Sequence, residues 1–192
     1  MNAAILTGRQ VRLAALDLEN DTGAYDEWSR DAEFLRLGDI GVARPMSAAR
    51  ARQSLEEYVG KDEPRLGLYY FSIRALADDR LLGQVNLGTD NWAQREAWLG
   101  VALGRRADWG KGYGSDAIEV ALRFAFDELN LARVSLMVVE YNPRAIRAYL
   151  KLGFVEEGRL RGFLRRGGRR WDLVYMGLLR DEARAGQAGS DA

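Results

Sequence analysis

The stretch Trp109-Gly110-Lys111-Gly112-Tyr113-Gly114-Ser115-Asp116-Ala117 sets glycines at alternate positions immediately ahead of a helical pattern. Without side chains there, backbone N–H groups can converge on one anion at the positive end of the following helix. The spacing therefore points to a phosphate or pyrophosphate site. It is not the G-x-G-x-x-G of a dinucleotide fold, and no βαβ pattern surrounds it. The nearest Walker reading runs from Gly104 to Lys111, but it puts five residues between its glycines and Gly112 where Ser or Thr would bind magnesium, which argues against NTP hydrolysis. Taken alone, the turn equally suits a structural role in which a strand and a helix meet closely.

Downstream, residues 112–129 carry Ile118, Ala121, Leu122, Ala125 and Leu129 on one helical face. Ala132–Val139 is a β-branched and apolar run, which predicts a central strand buried on both faces. Asn142-Pro143 supplies an N-cap with proline at the first helical position, and Gly153 ends that helix. Two closing strands, 154–163 and 171–179, are joined by Arg165-Arg166-Gly167-Gly168. Upstream, 10–16 alternates as a first strand, and Ser47 caps a helix over 48–59 that stops at Gly60 with Pro64 beyond. The runs 68–76, 81–89 and 96–103, separated by Asp78-Asp79 and Thr89-Asp90-Asn91, read as an antiparallel meander. Residues 1–180 form one mixed α/β domain on this reading, and the Ala/Gly/Ser-rich 181–192 a flexible tail.

Composition narrows the chemistry. The 192 residues include neither Cys nor His, so thiolate nucleophiles, disulfides, imidazole ligands and a Ser-His-Asp triad are excluded. Twenty-eight basic residues balance 28 acidic ones, so no whole-molecule field draws the chain to nucleic acid or an anionic membrane. No apolar run reaches the length of a membrane span and the N-terminal residues lack a basic region before a long apolar stretch, so the expected location is cytoplasmic.

The stretch Ala97-Trp98-Leu99-Gly100-Val101-Ala102-Leu103-Gly104 leading into the glycine turn resembles the coenzyme-binding segment of the GNAT acyltransferase superfamily. Asn142-Pro143-Arg144-Ala145-Ile146-Arg147-Ala148-Tyr149-Leu150-Lys151-Leu152-Gly153-Phe154 resembles the family's second signature, continued by Glu157-Gly158-Arg159-Leu160-Arg161 and Asp172-Leu173-Val174-Tyr175-Met176. The likeness covers roughly residues 8–180 and is nearest the branch holding ribosomal-protein N-terminal and spermidine N-acetyltransferases. It implies a mostly antiparallel, splayed sheet of six to seven strands with about four helices, and acetyl-CoA wedged between strands four and five. Val101, Ala102 and Leu103 would then lie along the pantetheine, with Gly110, Lys111, Gly112, Tyr113, Gly114 and Ser115 around the pyrophosphate. One departure is visible: Trp109 stands where the family often has Gln or Arg.

Acetyl transfer to an amine needs a neutral amine, a polarised thioester carbonyl and a proton for the leaving thiolate. Asn142 and Tyr149 stand about two helical turns apart and so share a face. By themselves they read as an N-cap and a core aromatic; the resemblance implies a coenzyme contact for Asn142 and proton donation to the thiolate for Tyr149, whose hydroxyl has a reference pKa of about 10. The base is open among Glu96, Glu140, the first-helix carboxylates and a bound water. With no covalent carrier in sight, direct attack in a ternary complex is the consistent mechanism.

The acidic segment 17–39 predicts a cationic acceptor, a polyamine or a basic peptide N-terminus, if it borders the acceptor cleft; as a solvated helix face it would touch no substrate. A catalytically silent CoA-binding regulatory module on the same fold is the rival reading. A nucleic-acid binder using the arginines of 159–170 is disfavoured against a solvated face. The resembled branch often forms dimers or larger assemblies, which implies a possible homo-oligomer.

Overall fold

Alternating apolar residues and local turn chemistry build seven strands into a single sheet. In the computed structural model, which describes residues 3–59, 67–89 and 92–183, these are β1 (Val11–Ala14), β2 (Leu68–Ala75), β3 (Leu81–Gly88), β4 (Glu96–Leu103), β5 (Arg133–Val139), β6 (Val155–Arg166) and β7 (Arg169–Leu179). Their order is β1-β2-β3-β4-β5-β7-β6. Every neighbouring pair is antiparallel except β4 and β5. The expected splayed, mostly antiparallel sheet is therefore what forms. β6 and β7 run longer than expected because the turn needs only Gly167 and Gly168, both at positive φ (57° and 80°), as a two-residue hairpin demands.

The helices start where capping side chains sit. Asp17 accepts from the N–H groups of Glu19 and Asn20 to open α1 (Leu18–Ser29). Asp31 does the same for Glu33 and Phe34 at α2 (Ala32–Gly38), so the acidic segment divides into two helices at that second cap. Ser47 accepts from Arg50 N–H (3.2 Å) ahead of α3 (Ala48–Val59). The stop signals Gly60 and Pro64, and the turn residues Asp90-Asn91, lie outside the described residues. α4 (Tyr113–Arg123) runs into a π turn over Phe124–Glu128, and Asn130 at φ 52° follows it; the single helix expected to 129 is thus widened in its last turn. α5 (Pro143–Lys151) begins at Asn142 and ends before Gly153 at φ 90°.

The main core forms where α4 lays Ala117, Ile118, Val120, Ala121 and, from the π turn, Ala125 on the sheet, against Val85, Leu87, Leu99, Val134 and Leu136. A smaller cluster joins α1 to α3 through Tyr25, Trp28, Ala51 and Leu55. The chain does not loosen at Arg180 as expected: a helical turn covers 180–183, Leu179 N–H donates to the Glu182 carboxylate (2.9 Å), and Ala183 packs against the main core. The rest of the expected tail, 184–192, lies outside the described residues.

α1 is tied to β2 by a buried ion pair. Asp21, 1% exposed, accepts from Ser72 Oγ (2.8 Å) and from Arg74 (2.6 Å). Removing one partner strands a charge among buried groups, which costs about 3–5 kcal/mol. Asp21→Ala should lose stability of that order in urea denaturation. The double variant Asp21→Leu/Arg74→Met should recover most of it, because it leaves neither charge uncompensated.

Candidate active site

The site begins with a gap in the sheet. β4 and β5 pair only at Glu96–Arg133, Ala97–Val134 and Trp98–Ser135. Gly104 N–H donates to Leu82 O on β3, so alternation turns the backbone groups of Leu99, Val101 and Leu103 toward the gap. Glu140 N–H donates to Asp172 O on β7, which by the same rule turns Met137 and Val139 toward it from β5. β5 is central as expected but not buried throughout: the Met137 side chain is 45% exposed because the gap opens beside it. A cavity of about 640 Å³ fills the gap, a size that suits a small-molecule ligand.

At one side of this cavity lies the glycine turn. Gly110 and Gly112 take φ 75° and 91°, which side-chain-bearing residues rarely adopt. Gly112 is the N-cap of α4 and contributes no side-chain cap. The first helical bond is Asp116 N–H to Gly112 O, so the N–H groups of Tyr113, Gly114 and Ser115 have no acceptor among the described residues. Three donors at a helix N-terminus form a cradle for an anionic oxygen. A Cβ on Gly114 would meet nothing nearer than Leu103 Cδ1 at 3.6 Å, so a side chain there has room but would enter the cradle. Gly110, Gly112, Gly114 and Ser115 line the cavity, whereas Lys111 and Tyr113 do not. Tyr113 instead packs on the main core with Arg80 over its ring.

α5 forms another wall. Asn142 Oδ1 caps the helix by accepting from Ala145 N–H (3.2 Å), which leaves its amide NH₂ without a partner among the described residues. Tyr149 lies on the same face; its ring meets Phe154 edge-on at 5.8 Å, and burial pushes its hydroxyl up to about 12. Asn142, Tyr149, Val101, Ala102 and Leu103 all line the same cavity. So do Arg144, Arg147 and Lys151, which the sequence reading passed over although their i, i+3, i+7 spacing puts them on one helical face. Arg144 stacks on Trp109 at 4.1 Å, and burial lowers its pKa. Trp109 Nε1 donates to Leu103 O (2.8 Å), closing the last carbonyl on the gap edge of β4.

The carboxylates divide sharply. Glu96 accepts from Ser135 Oγ (2.6 Å) and Arg133 (3.2 Å) where β4 and β5 are still paired. Glu140 accepts from Asp172 N–H (3.0 Å). Neither lines the cavity. Within 17–39, Asp26 pairs with Arg30, Glu27 with Arg105, and Asp31 and Glu33 with Arg106. Arg106 holds the Asp31 carboxyl down to about 2. Among the described residues Asp39 is the one carboxylate in the cavity wall, which Phe34, Leu37 and Ile40 also line. In the closing hairpin, Arg159 pairs with Glu156, Arg166 bonds the carbonyls of Ile40 and Gly41, Arg169 stacks on Trp171, and Arg170 bonds Gly162 O.

A sheet parted between its two parallel strands, with a helix N-terminus facing the parting, is the architecture of an N-acyltransferase. Residues 10–155 match the family model described as acetyltransferase (GNAT) domain, and the chain belongs to that family of acetyl-CoA-dependent N-acyltransferases. It is 32% identical over 177 residues to a Bacillus subtilis SPbeta prophage-derived uncharacterized N-acetyltransferase, YokL, covering 92% of this chain and 93% of the relative. It is 34% identical over 106 residues to a Vibrio cholerae spermidine N(1)-acetyltransferase, covering 55% and 61% of the two chains. The crystal structure of a Vibrio cholerae spermidine N-acetyltransferase in complex with CoA and spermine superposes with a TM-score of 0.76 at 26% identity, covering 91% of this chain and 98% of that one.

Gly114→Val should fold with a near wild-type thermal midpoint and lose coenzyme A affinity by at least tenfold in calorimetric titration. Gly112→Val is the harsher change, since it adds an unfavourable φ and a Cβ 2.9 Å from Gln10 Nε2. Its thermal midpoint should fall as well.

Proposed function

We propose that the chain transfers the acetyl group of acetyl-CoA to a primary amine by direct attack in a ternary complex, with the coenzyme lying between β4 and β5. The observation that carries this reading is the parting of the two strands, with the glycine turn at the start of α4 and Tyr149 lining the same cavity. The thioester supplies an activated acetyl group; binding, orientation and the proton for the leaving thiolate fall to this chain's residues. The N–H groups of Tyr113, Gly114 and Ser115 receive the pyrophosphate, together with the turn backbone from Gly110 through Lys111 and Gly112. Lys111 and Tyr113 do not line the cavity, so in this reading they contribute only the main chain of the turn.

Val101 and Leu103 offer gap-facing backbone groups to the amides of the pantetheine, with Ala102 between them. Asn142 turns its free NH₂ to the same arm. Arg144, Arg147 and Lys151 offer positive charge for the remaining phosphate, and the stack on Trp109 orients the first of them. Tyr149 Oη–H donates to the sulfur as the thiolate leaves. Since burial raises its pKa to about 12, the hydroxyl keeps its proton throughout the neutral range, and no loss of rate arises from this group there.

Glu96 and Glu140 are held away from the cavity, which favours a bound water as the carrier of the amine's proton. The acceptor is a primary amine in the reading we favour, with a cationic one ahead of an anionic one, supported by the likeness to spermidine N-acetyltransferases.

Thiol release from acetyl-CoA with a panel of amines tests the activity, and a wild-type enzyme silent across the panel overturns it. Saturating acetyl-CoA should raise the thermal midpoint, because a ligand that binds the native state alone stabilises it. Tyr149→Phe should lower kcat by roughly ten- to a thousandfold with coenzyme affinity nearly unchanged, since only the proton is removed.

A further inference from the structure

We infer that Asp39 selects acceptors that carry a second positive charge one alkyl chain away from the reacting amine. The inference rests on the cavity reading above and names what that reading leaves open, the residue that recognises the acceptor. Asp26, Glu27, Asp31 and Glu33 are already neutralised by arginines of this chain, and Asp21 is buried against Ser72 and Arg74. Asp17 is taken up in capping α1, and Glu19 lies outside the cavity wall. Asp39 alone lines the cavity and has no cationic partner among the described residues.

Asp39 is an exposed residue whose carboxylate has one hydrogen bond to the main chain. Oδ1 accepts from Gly41 N–H (3.0 Å), which leaves Oδ2 open. The segment around it is pinned on both sides: Tyr141 Oη donates to Arg36 O (2.8 Å), and Arg166 donates to the carbonyls of Ile40 (3.2 Å) and Gly41. Phe34, Leu37 and Ile40 give the same wall an apolar surface. An apolar surface that carries one carboxylate matches an alkyl chain that carries an ammonium, and a bond from an ammonium to a carboxylate is stronger than a neutral one. The cations of α5 oppose any dication entering alone, so the preference should develop once the coenzyme's phosphates have neutralised them.

The test titrates 1,6-diaminohexane and hexylamine into the protein saturated with coenzyme A. Wild type should bind the diamine about tenfold tighter than the monoamine. In Asp39→Asn, whose carbonyl still accepts from Gly41 N–H, that ratio should collapse to near one, and Asp39→Glu should restore part of it. A wild-type ratio near one, or an undiminished ratio in Asp39→Asn, overturns the inference. A fall in kcat for both amines in Asp39→Asn, with a changed pH profile, would make Asp39 a proton acceptor and overturn it equally. If coenzyme A itself does not bind, the cavity reading falls and this inference falls with it; if coenzyme A binds and the diamine gains nothing, only the role of Asp39 is lost.

Discussion

Three residue pairs hold β4 to β5, and the rest of the site follows from their ending at Trp98 and Ser135. A parallel pair buried in the middle of a sheet would ordinarily continue, since each unpaired N–H or C=O away from water is costly. Here each strand stays paired on its other side along the gap, β4 with β3 from Trp98 to Leu103 and β5 with β7 from Arg133 to Val139. Neither can turn to close the gap. The edges of Leu99–Leu103 and Met137–Val139 therefore face a cavity with backbone donors and acceptors to spare. A ligand that carries amides along a thin chain can satisfy both edges as an added strand would.

The elements flanking that gap were legible because their signals are local. Asn142-Pro143 before α5 and Gly153 after it, or alternate glycines before α4, can each be read from a few neighbouring residues. The cavity cations were legible in principle, since Arg144, Arg147 and Lys151 recur at helical spacing, but nothing local says which face of α5 meets the gap. Asp39 could not be singled out. It stands in a run of carboxylates, and what separates it from Glu27, Asp31 and Glu33 is the absence of an arginine brought from elsewhere in the chain. Arg105 and Arg106 lie more than 70 positions away along the sequence, and only the fold returns them to α1 and α2.

Those pairings change what the acidic segment does. A stretch that looks like a field for a cationic ligand is, for most of its charge, a fastening. α2 has no fully buried residue, so packing alone gives it little purchase. Arg106 fixes its first turn through Asp31 and Glu33, and Tyr141 and Arg166 fix its far end through main-chain carbonyls. Exposed ion pairs are individually weak, yet a short helix held at both ends keeps its place with modest contributions from each.

Trp109 ties that fastening to the cavity. Its indole meets the guanidinium groups of Arg106 at 5.9 Å and Arg144 at 4.1 Å, and its N–H closes the Leu103 carbonyl. Arg106 pairs with Asp31 and Glu33 at the start of α2, and Arg144 lines the cavity. A polar side chain at 109 could address the ligand directly; an indole cannot accept a hydrogen bond and spends its single donor on the strand. Its contribution is therefore positional. It sets where Arg144 stands relative to the glycine turn, and through Arg106 it relates that turn to the wall that carries Asp39. One aromatic ring in contact with two guanidinium groups thus links the start of α2 to α5 beside the cavity.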